Sequence, residues 1–335
     1  MAPPKILIVG QGLAGTVLGW SLTRAGIDWR MMDAGHAAAA SRVAAGIINP
    51  VTGQRWVKTW RIEELWEETR RFYQDIEQGL GVPLWRELKI RRYWRTAREL
   101  RILNTKRASG VLAPFVESVD ERSCVIAPAA RVDVPAMLNA ARQRWIAEGR
   151  LTEARLDWAD LTSETALVID CTGAAIRGGC FAAGSWAVSK GEVLRVAVPE
   201  RDPGLIEHRG HWLLPVPGGD AWVGATHEPG IDDLSLTAAA WESLLASAER
   251  LTGQRCRVAD HLAGLWFVAR DMRPVVGRHP EHPQRGVFGA LGGKGVLYAP
   301  WLARQWTEHL GQGTEFDAAV SILRLEAGFV QGERV

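Results

Sequence analysis

Cysteine is scarce in this chain: four residues, Cys124, Cys171, Cys180 and Cys256, with no C-x-x-C pair among them. That excludes a disulfide scaffold and a cysteine-bound metal, and it fits a reducing compartment, so a cytoplasmic location is expected. Excess charge is also missing. Forty Lys and Arg against 38 Asp and Glu leave a formal net charge of +2, which gives no global pull towards nucleic acid or membrane. No apolar run is long enough to span a bilayer. Ile6 to Leu22 could pass for a signal peptide, but its glycines recur regularly and no clean cleavage site comes after it. It reads as fold rather than address. The eight histidines form no metal-ligand pattern: His279 and His282 are three apart, but a proline comes after each, so they read as loop and no metal is expected.

Two residue types are abundant: 16 tryptophans and 35 glycines. The hydrophobic fraction of 47% and charged fraction of 23% are those of a globular protein, and 335 residues suffice for one large or two moderate domains. Most of the tryptophans must serve the core or a domain interface, and some can line an aromatic pocket.

The glycines fall into patterns. "KILIVGQGLAG" is a short apolar run, Ile6 to Val9, then Gly10, Gln11, Gly12, Leu13, Ala14 and Gly15. A helical pattern runs on to Gly26, and a second strand, Asp28 to Met32, ends at Asp33. Strand, G-x-G-x-x-G, helix, strand and acid in this order make a dinucleotide-binding unit. Gly10 permits the tight turn, Gly12 lets backbone approach a pyrophosphate, and Gly15 lets the helix pack on the strand. The helix start then presents unpaired N–H groups to the phosphates. Asp33, 23 positions after Gly10, can accept hydrogen bonds from a ribose diol and would repel a 2′-phosphate, which disfavours NADP.

The segment from Ala40 to Trp56, "ASRVAAGIINPVTGQRW", separates NAD from FAD, because it is not a further βαβ unit. Ser41 and Arg42 suit the second half of a pyrophosphate and its ribityl chain, and Ala44, Ala45 and Gly46 would let backbone lie flat on a large planar ring. Near the end, "GALGGKGVLYAP" places Gly289, Gly292, Gly293 and Gly295 around one cation, Lys294, just before an apolar helix.

On these residues the chain resembles the D-amino-acid oxidase, glycine oxidase and sarcosine oxidase superfamily of FAD flavoproteins. Four blocks carry the resemblance: Ile6 to Asp33; Ser41 to Ile48; "LVIDCTGA", Leu167 to Ala174; and "AGLWFVARDMRPVVGRHP", Ala263 to Pro280, taken with the late glycine loop. It implies an α/β fold, in which a Rossmann-type FAD-binding domain is interleaved with an α+β substrate domain on a mainly antiparallel sheet. The FAD domain would take 1–82, 125–188 and 263–335, and the substrate domain 83–124 and 189–262. The resemblance adds Leu13, Ala14, Ala34 and Leu156 to the cofactor-binding residues, and has Thr172 and Gly173 close over the phosphates or adenine. Ile47 would pack by flavin N5. The late loop, Gly292 to Gly295, and the helix from about Val296 and Leu297 would direct N–H groups at the N1–C2=O edge of the flavin, favouring its reduced form. Lys294 would add charge at that edge, face the substrate, or be a solvent-exposed loop lysine.

The implied activity is oxidation of an amine or amino acid by hydride transfer to flavin N5, giving an imine, with little acid–base machinery. Trp212, Trp266 and Arg270 would line the substrate side, unless the tryptophans are simply core. One departure bears on the substrate. Trp266 stands where glycine oxidases carry the arginine that clamps the substrate carboxylate, and Gly293 replaces a second arginine. Arg270 or Lys294 would have to substitute, or the substrate is not a simple α-amino acid. Two alternatives stand beside this reading. One is an FAD-carrying subunit of a hetero-oligomeric amine dehydrogenase, docking through Arg86 to Arg107, where nine Arg or Lys face Glu87 and Glu99. The other is a tRNA-modifying FAD oxidase, whose usual fused methyltransferase is not in this sequence. The plain reading of the basic segment is a solvated face.

Elsewhere, Ile62, Leu65, Trp66, Thr69, Tyr73, Ile76 and Leu80 form one helical stripe, with Thr59 as expected N-cap and Gly79 and Gly81 as stop. "HWLLPVPGGDAWVGA" reads as a hairpin, and "SLTAAAWESLLASAERLTG" as a capped helix ending at Gly253.

Overall fold

The computed structural model describes residues 6–35, 39–158, 167–178, 180–181 and 186–325. Elements are numbered in chain order. One sheet has six strands, in the order β17 (Val275–Arg278), β18 (Arg285–Gly289), β10 (Leu167–Asp170), β1 (Ile6–Val9), β2 (Arg30–Asp33) and β9 (Leu151–Glu153). All its pairings are parallel except β17 with β18. The strands β1 and β10 are short, apolar and almost wholly buried, as strands covered on both faces are.

The second sheet orders β15 (Glu228–Pro229), β11 (Trp186–Ala197), β14 (Asp220–Gly224), β13 (His211–Val216), β12 (Leu205–Arg209), β6 (Trp85–Tyr93), β8 (Ser123–Val132) and β3 (Ile47–Ile48). To these, β16 (Arg257–Ala269) adds along β11, and β7 (Val116–Val119) along β8. This sheet is antiparallel apart from the β12–β6 pair. A small hairpin, β4 (Val51–Thr52) and β5 (Val57–Lys58), stands apart. The expected hairpin "HWLLPVPGGDAWVGA" is β13 and β14.

The helices are α1 (Leu13–Arg24), α2 (Ala40–Val43), α3 (Ile62–Leu80), α4 (Ala97–Ala108), α5 (Val134–Ala147), α6 (Ala238–Thr252) and α7 (Gly295–Gln312). Both α1 and α7 are buried over most of their length and pack on each other. Of the expected stripe of α3, Ile62, Leu65, Thr69, Tyr73 and Ile76 are buried and Trp66 and Leu80 half-buried; Gly79 lies inside the helix, and Gly81 closes it in the left-handed conformation. The expected N-cap is corrected. Arg61 takes that position, while the Thr59 hydroxyl donates to the Asn49 carbonyl and its N–H to Pro50. Thr59 is therefore spent on closing the β4–β5 hairpin. Helix α6 has the expected limits, with Thr237 capping one end and Gly253 the other.

The tryptophans find room where glycines leave it. A Cβ on Gly79 would lie 2.2 Å from the Trp20 ring, one on Gly286 2.6 Å from Trp306, and one on Gly224 2.7 Å from Trp212. Trp29 and Trp145 meet edge to face at 4.9 Å over Gly19. The large rings thus lie directly on backbone, which brings helices and strands close together.

The basic segment Arg86 to Arg107 spans β6 and α4 and is not one solvated face. Arg92 is buried, lies 3.8 Å over the Trp56 ring and donates to the Gly53 carbonyl. Lys106 donates to the Trp56 carbonyl, and Arg95 pairs with buried Glu99. These charges hold the β4–β5 hairpin against α4. Among the described residues no helix is long and apolar enough to cross a membrane.

Candidate functional site

At the carboxyl end of β1 the chain turns through Gly10, whose φ of +98° favours glycine. A Cβ there would lie 2.8 Å from the Cys171 carbonyl oxygen, so β10 leaves no room for one. Gly12 starts α1 with no side-chain cap. The Leu13 N–H donates to the Ser41 hydroxyl at 3.0 Å, which directs the hydroxyl proton elsewhere. The late glycine loop leaves β18, makes one 3₁₀ turn over Gly292–Lys294 and enters α7, which also has no side-chain cap. Gly295 lies against Leu13: a Cβ on it would be 2.9 Å from that side chain. Two helix starts whose own N-cap residues supply no side-chain bond therefore meet, and their positive ends make one anion-attracting region. Val296 and Leu297 are buried in the first turn of α7.

On one flank of this region lies Asp33, at the end of β2 and 6% exposed. Its carboxylate accepts the Gln11 N–H at 2.7 Å, the Gly35 N–H at 3.0 Å and the Arg142 guanidinium at 2.9 Å. Burial alone would raise its pKa; the Gln11 N–H, Arg142 and the Gly35 N–H outweigh that and hold the carboxyl below its usual range. Ala34 is exposed beside it, and Leu156 is half-buried beyond β9. On the other flank, Thr172 donates through its N–H and hydroxyl to Asp170 at the end of β10, and Gly173 comes next at φ +68°.

Burial raises the Asp170 carboxyl to about 6, against the Thr172 bonds that lower it. A raised folded-state pKa means stability that is present below the unfolded value near 4 and lost as pH rises through about 6. Asp170→Asn is accordingly expected to stabilise the apoprotein at pH 8 by up to about 3 kcal/mol, with the difference closing below about pH 4. Thermal melts of both proteins across that range check it. A constant difference would mean that Asp170 does not titrate there.

The third part faces the second sheet. Gly46, at φ +69°, lies so close to β8 that a Cβ would be 1.9 Å from the Val132 carbonyl oxygen. The Val132 N–H donates to Gly46, Arg131 donates to the Ala45 carbonyl, and Ile47 pairs with Arg131. The segment Ala45 to Ile47 thus runs along the sheet edge, and Arg42 turns to Asn139 of α5.

Directly paired residues of adjacent strands share a face. Trp266 pairs with Ser189, Gly264 with Gly191, and Gly224 with both Val193 and Trp212. Trp212 and Trp266 therefore lie on one face of the sheet. That face looks onto α2, through Gly264 and Ala40, and onto the glycine loop, through Val268 and Gly292. Trp212 packs on Gly224 and Val193 and is largely core. Trp266 is half-buried, and the ring of His227 stacks on it at 5.1 Å and 20°. Opposite Trp212, burial first and then Arg92 and Arg95 push His208 down to about 4, so it is neutral at pH 7.

Lys294 is half-buried beside this face, and desolvation holds its ammonium below the usual range. Among the described residues it makes no hydrogen bond or ion pair, unlike Lys190 or Lys106. Arg270 is exposed in the turn after β16 and is not drawn to Trp266 by any bond among the described residues. Gly293 is exposed too.

Sequence reasoning missed His227, Gln11 and Arg142. His227 sits in a loop with no motif. Arg142 reaches Asp33 across 109 residues from a plain helix. Gln11 fills a variable position of the glycine turn. Among the described residues, one group has metal-ligand proximity, His279, Glu281 and His282, their ligand atoms within 4.8 Å of one another. There, His279 Nδ1 accepts the N–H groups of Glu281 and His282 and holds the loop.

Two helix starts meeting at Leu13 and Gly295, a buried carboxylate on one flank, and the edge segment Ala45 to Ile47 with an aromatic sheet face beyond it fit a dinucleotide with a large planar ring. Known proteins agree. The sequence profile of the family described as FAD dependent oxidoreductase matches residues 5–309. An uncharacterised oxidoreductase of Bacillus subtilis (strain 168) is 24% identical over 93% of this chain and 96% of its own length. The crystal structure of glycine oxidase from Geobacillus kaustophilus superposes with a TM-score of 0.78 at 20% identity, covering 95% of this chain and 98% of that one. That of iminodiacetate oxidase from Chelativorans sp. BNC1 gives 0.77 at 18%, covering 94% and 99%.

Proposed function

The chain belongs to the family of FAD-dependent oxidoreductases, and from that premise we propose that it oxidises a C–N bond of an amine or amino acid. Bound FAD would supply the acceptor for a hydride leaving the carbon next to nitrogen, and the imine so formed would hydrolyse in water. The protein's part is to bind, orient and exclude water. The meeting starts of α1 and α7 with Ser41 would hold the pyrophosphate, Asp33 the ribose, and Ala45 to Ile47 one side of the ring. The residues 1–82, 125–188 and 263–335 would form the FAD-binding domain, with 83–124 and 189–262 as substrate domain.

The observation that carries the substrate side is Lys294: a half-buried cation with no partner among the described residues, next to an aromatic face. An uncompensated buried charge is costly and is retained where an anion arrives. Trp266 and His227 offer a flat surface where a guanidinium clamp is absent. We assign the amine's substituents to that surface and any carboxylate to Lys294. The reading is supported by the likeness to enzymes named for glycine and iminodiacetate, both of them amines that carry carboxylate. Four unpaired cysteines suit a reducing, cytoplasmic setting, which belongs to the same proposal. No observation favours the hetero-oligomeric or tRNA-modifying alternatives, since much of the basic segment they would use is committed internally.

The test is a panel of amines, amino acids and hydroxy acids mixed anaerobically with the FAD-loaded protein. Bleaching of the flavin by amines is expected; bleaching by hydroxy acids alone would end the proposal. A variant sharpens it. Trp266→Arg should restore a bidentate clamp and tighten binding of a simple α-amino acid by at least about tenfold, or roughly 1.4 kcal/mol. Flavin spectral titration measures it. Unchanged binding would mean that Trp266 does not border the substrate.

A further inference from the structure

Arg142 stands out among the charged side chains because it joins three elements, α5, β2 and β9, to the glycine turn. It projects from α5 with its side chain 14% exposed. One guanidinium nitrogen donates to the Gln11 side-chain oxygen at 2.7 Å and to Asp33 at 2.9 Å, and the rest of the fork pairs with Glu153 on β9. Gln11 is itself fully buried and donates its amide to the Leu138 carbonyl of α5, while its backbone N–H donates to Asp33. The two side chains close a ring around the carboxylate: Asp33 to Gln11 through backbone, Gln11 to Arg142, and Arg142 back to Asp33. The carboxylate is held at Oδ2 by the Gln11 N–H and at Oδ1 by Arg142 and the Gly35 N–H, and the charge-assisted bond from a guanidinium itself fixed by Glu153 and Gln11 adds most to holding its position and plane.

We propose that Arg142 is the positioning residue for the adenosine end of FAD: locked by Gln11 and Glu153, it holds the Asp33 carboxylate in the plane that receives the ribose hydroxyls. The inference rests on FAD as cofactor and is independent of which substrate is oxidised. It separates two jobs that one salt bridge could do. If Arg142 merely ties α5 to the sheet, its loss weakens the fold and lowers affinity for any adenine dinucleotide alike. If it positions Asp33, its loss removes specifically what the ribose hydroxyls contribute.

A thermodynamic cycle distinguishes these. The full-length apoprotein is titrated with FAD and with the FAD analogue lacking the adenosine 2′-hydroxyl, using the quenching of flavin fluorescence as the signal. The wild type should bind the analogue about tenfold more weakly than FAD. Arg142→Met should bind FAD about tenfold more weakly than wild type and lose less than about twofold on going to the analogue. Arg142→Lys, which keeps the charge but cannot reach Glu153 as well as Gln11 and Asp33 from one planar group, should fall between them. Should the methionine variant not fold, the lysine variant carries the cycle alone. An equal loss of the hydroxyl's contribution in wild type and variant, or FAD affinity unaffected by either substitution, would overturn the proposal.

Discussion

Gly15→Ala is expected to give a folded protein that purifies without colour. A Cβ at Gly15 would lie 1.9 Å from the Gly10 carbonyl oxygen, 3.1 Å from its carbon and 3.3 Å from Ile8. The obstacle is backbone on the strand side, so no rotamer change relieves it. Helix α1 must lift from β1 by more than an ångström, which carries Leu13 away from Gly295 and Ser41 and pulls the two helix starts apart. Overpacking of this kind costs about 1–3 kcal/mol of stability. The loss of cofactor should be larger: at least about a hundredfold in FAD affinity, near 2.7 kcal/mol. Gly19→Ala, four residues on, is the control. Its Cβ would meet only the rings of Trp29 and Trp145 at 3.1 Å, so it should lower the melting temperature and keep the colour. Flavin content and titration of the two variants measure this, and a yellow Gly15→Ala protein with unaltered affinity would remove the glycine turn from the cofactor site.

Lys294→Met should leave FAD bound and slow its reduction. The residue's charge is disfavoured by burial, so the charged form costs the fold; that cost is relieved only as pH rises past the lysine's folded and unfolded pKa values. Removing the charge should therefore leave the apoprotein at least as stable at pH 7 as the wild type, which a structural lysine would not do. Its positive charge would instead be repaid when negative charge appears nearby. If that charge is on the reduced flavin, the midpoint potential of the variant falls, with about 30 mV for every 1.4 kcal/mol lost in a two-electron couple. If it is a substrate carboxylate, apparent substrate affinity weakens while the free enzyme's potential holds. Spectroelectrochemistry and anaerobic reduction kinetics separate the two. Neither change appearing would make Lys294 a bystander and leave the loop to act through its backbone and helix end.

The glycine turn and the place of Asp33 in the fold were legible because their signals are local. Gly10, Gly12, Gly15 and Asp33 sit at fixed offsets on one strand–helix–strand unit, and each offset is dictated by backbone geometry rather than by partners. The late glycine loop was legible for the same reason, since four glycines around one lysine serve neither helix nor strand. Thr59 misled because a hydroxyl before a helix can serve more than one purpose, and here the preceding hairpin claims it. Arg92 and Lys106 misled as part of a charge run; their cation–π and carbonyl contacts depend on Trp56, which the sequence places over 30 residues away. The tryptophan–glycine contacts were hidden likewise: Trp20 and Gly79, or Trp306 and Gly286, meet only once the layers are stacked.

The junction of α1 with α7 also constrains how the protein comes into being. Its two halves, Leu13 and Gly295, are separated by almost the whole chain, and the strand that leads into α7 must first pair beside β10. During synthesis at about 5–20 residues per second, the N-terminal glycine turn emerges roughly 15–60 s before its counterpart. Throughout that interval the nascent chain exposes the apolar flank of α1 that α7 will cover. The junction can thus close only after the second of its two helices has been made, and a chain stalled before Gly292 would hold the residues of the first βαβ unit without the α7 that packs on α1.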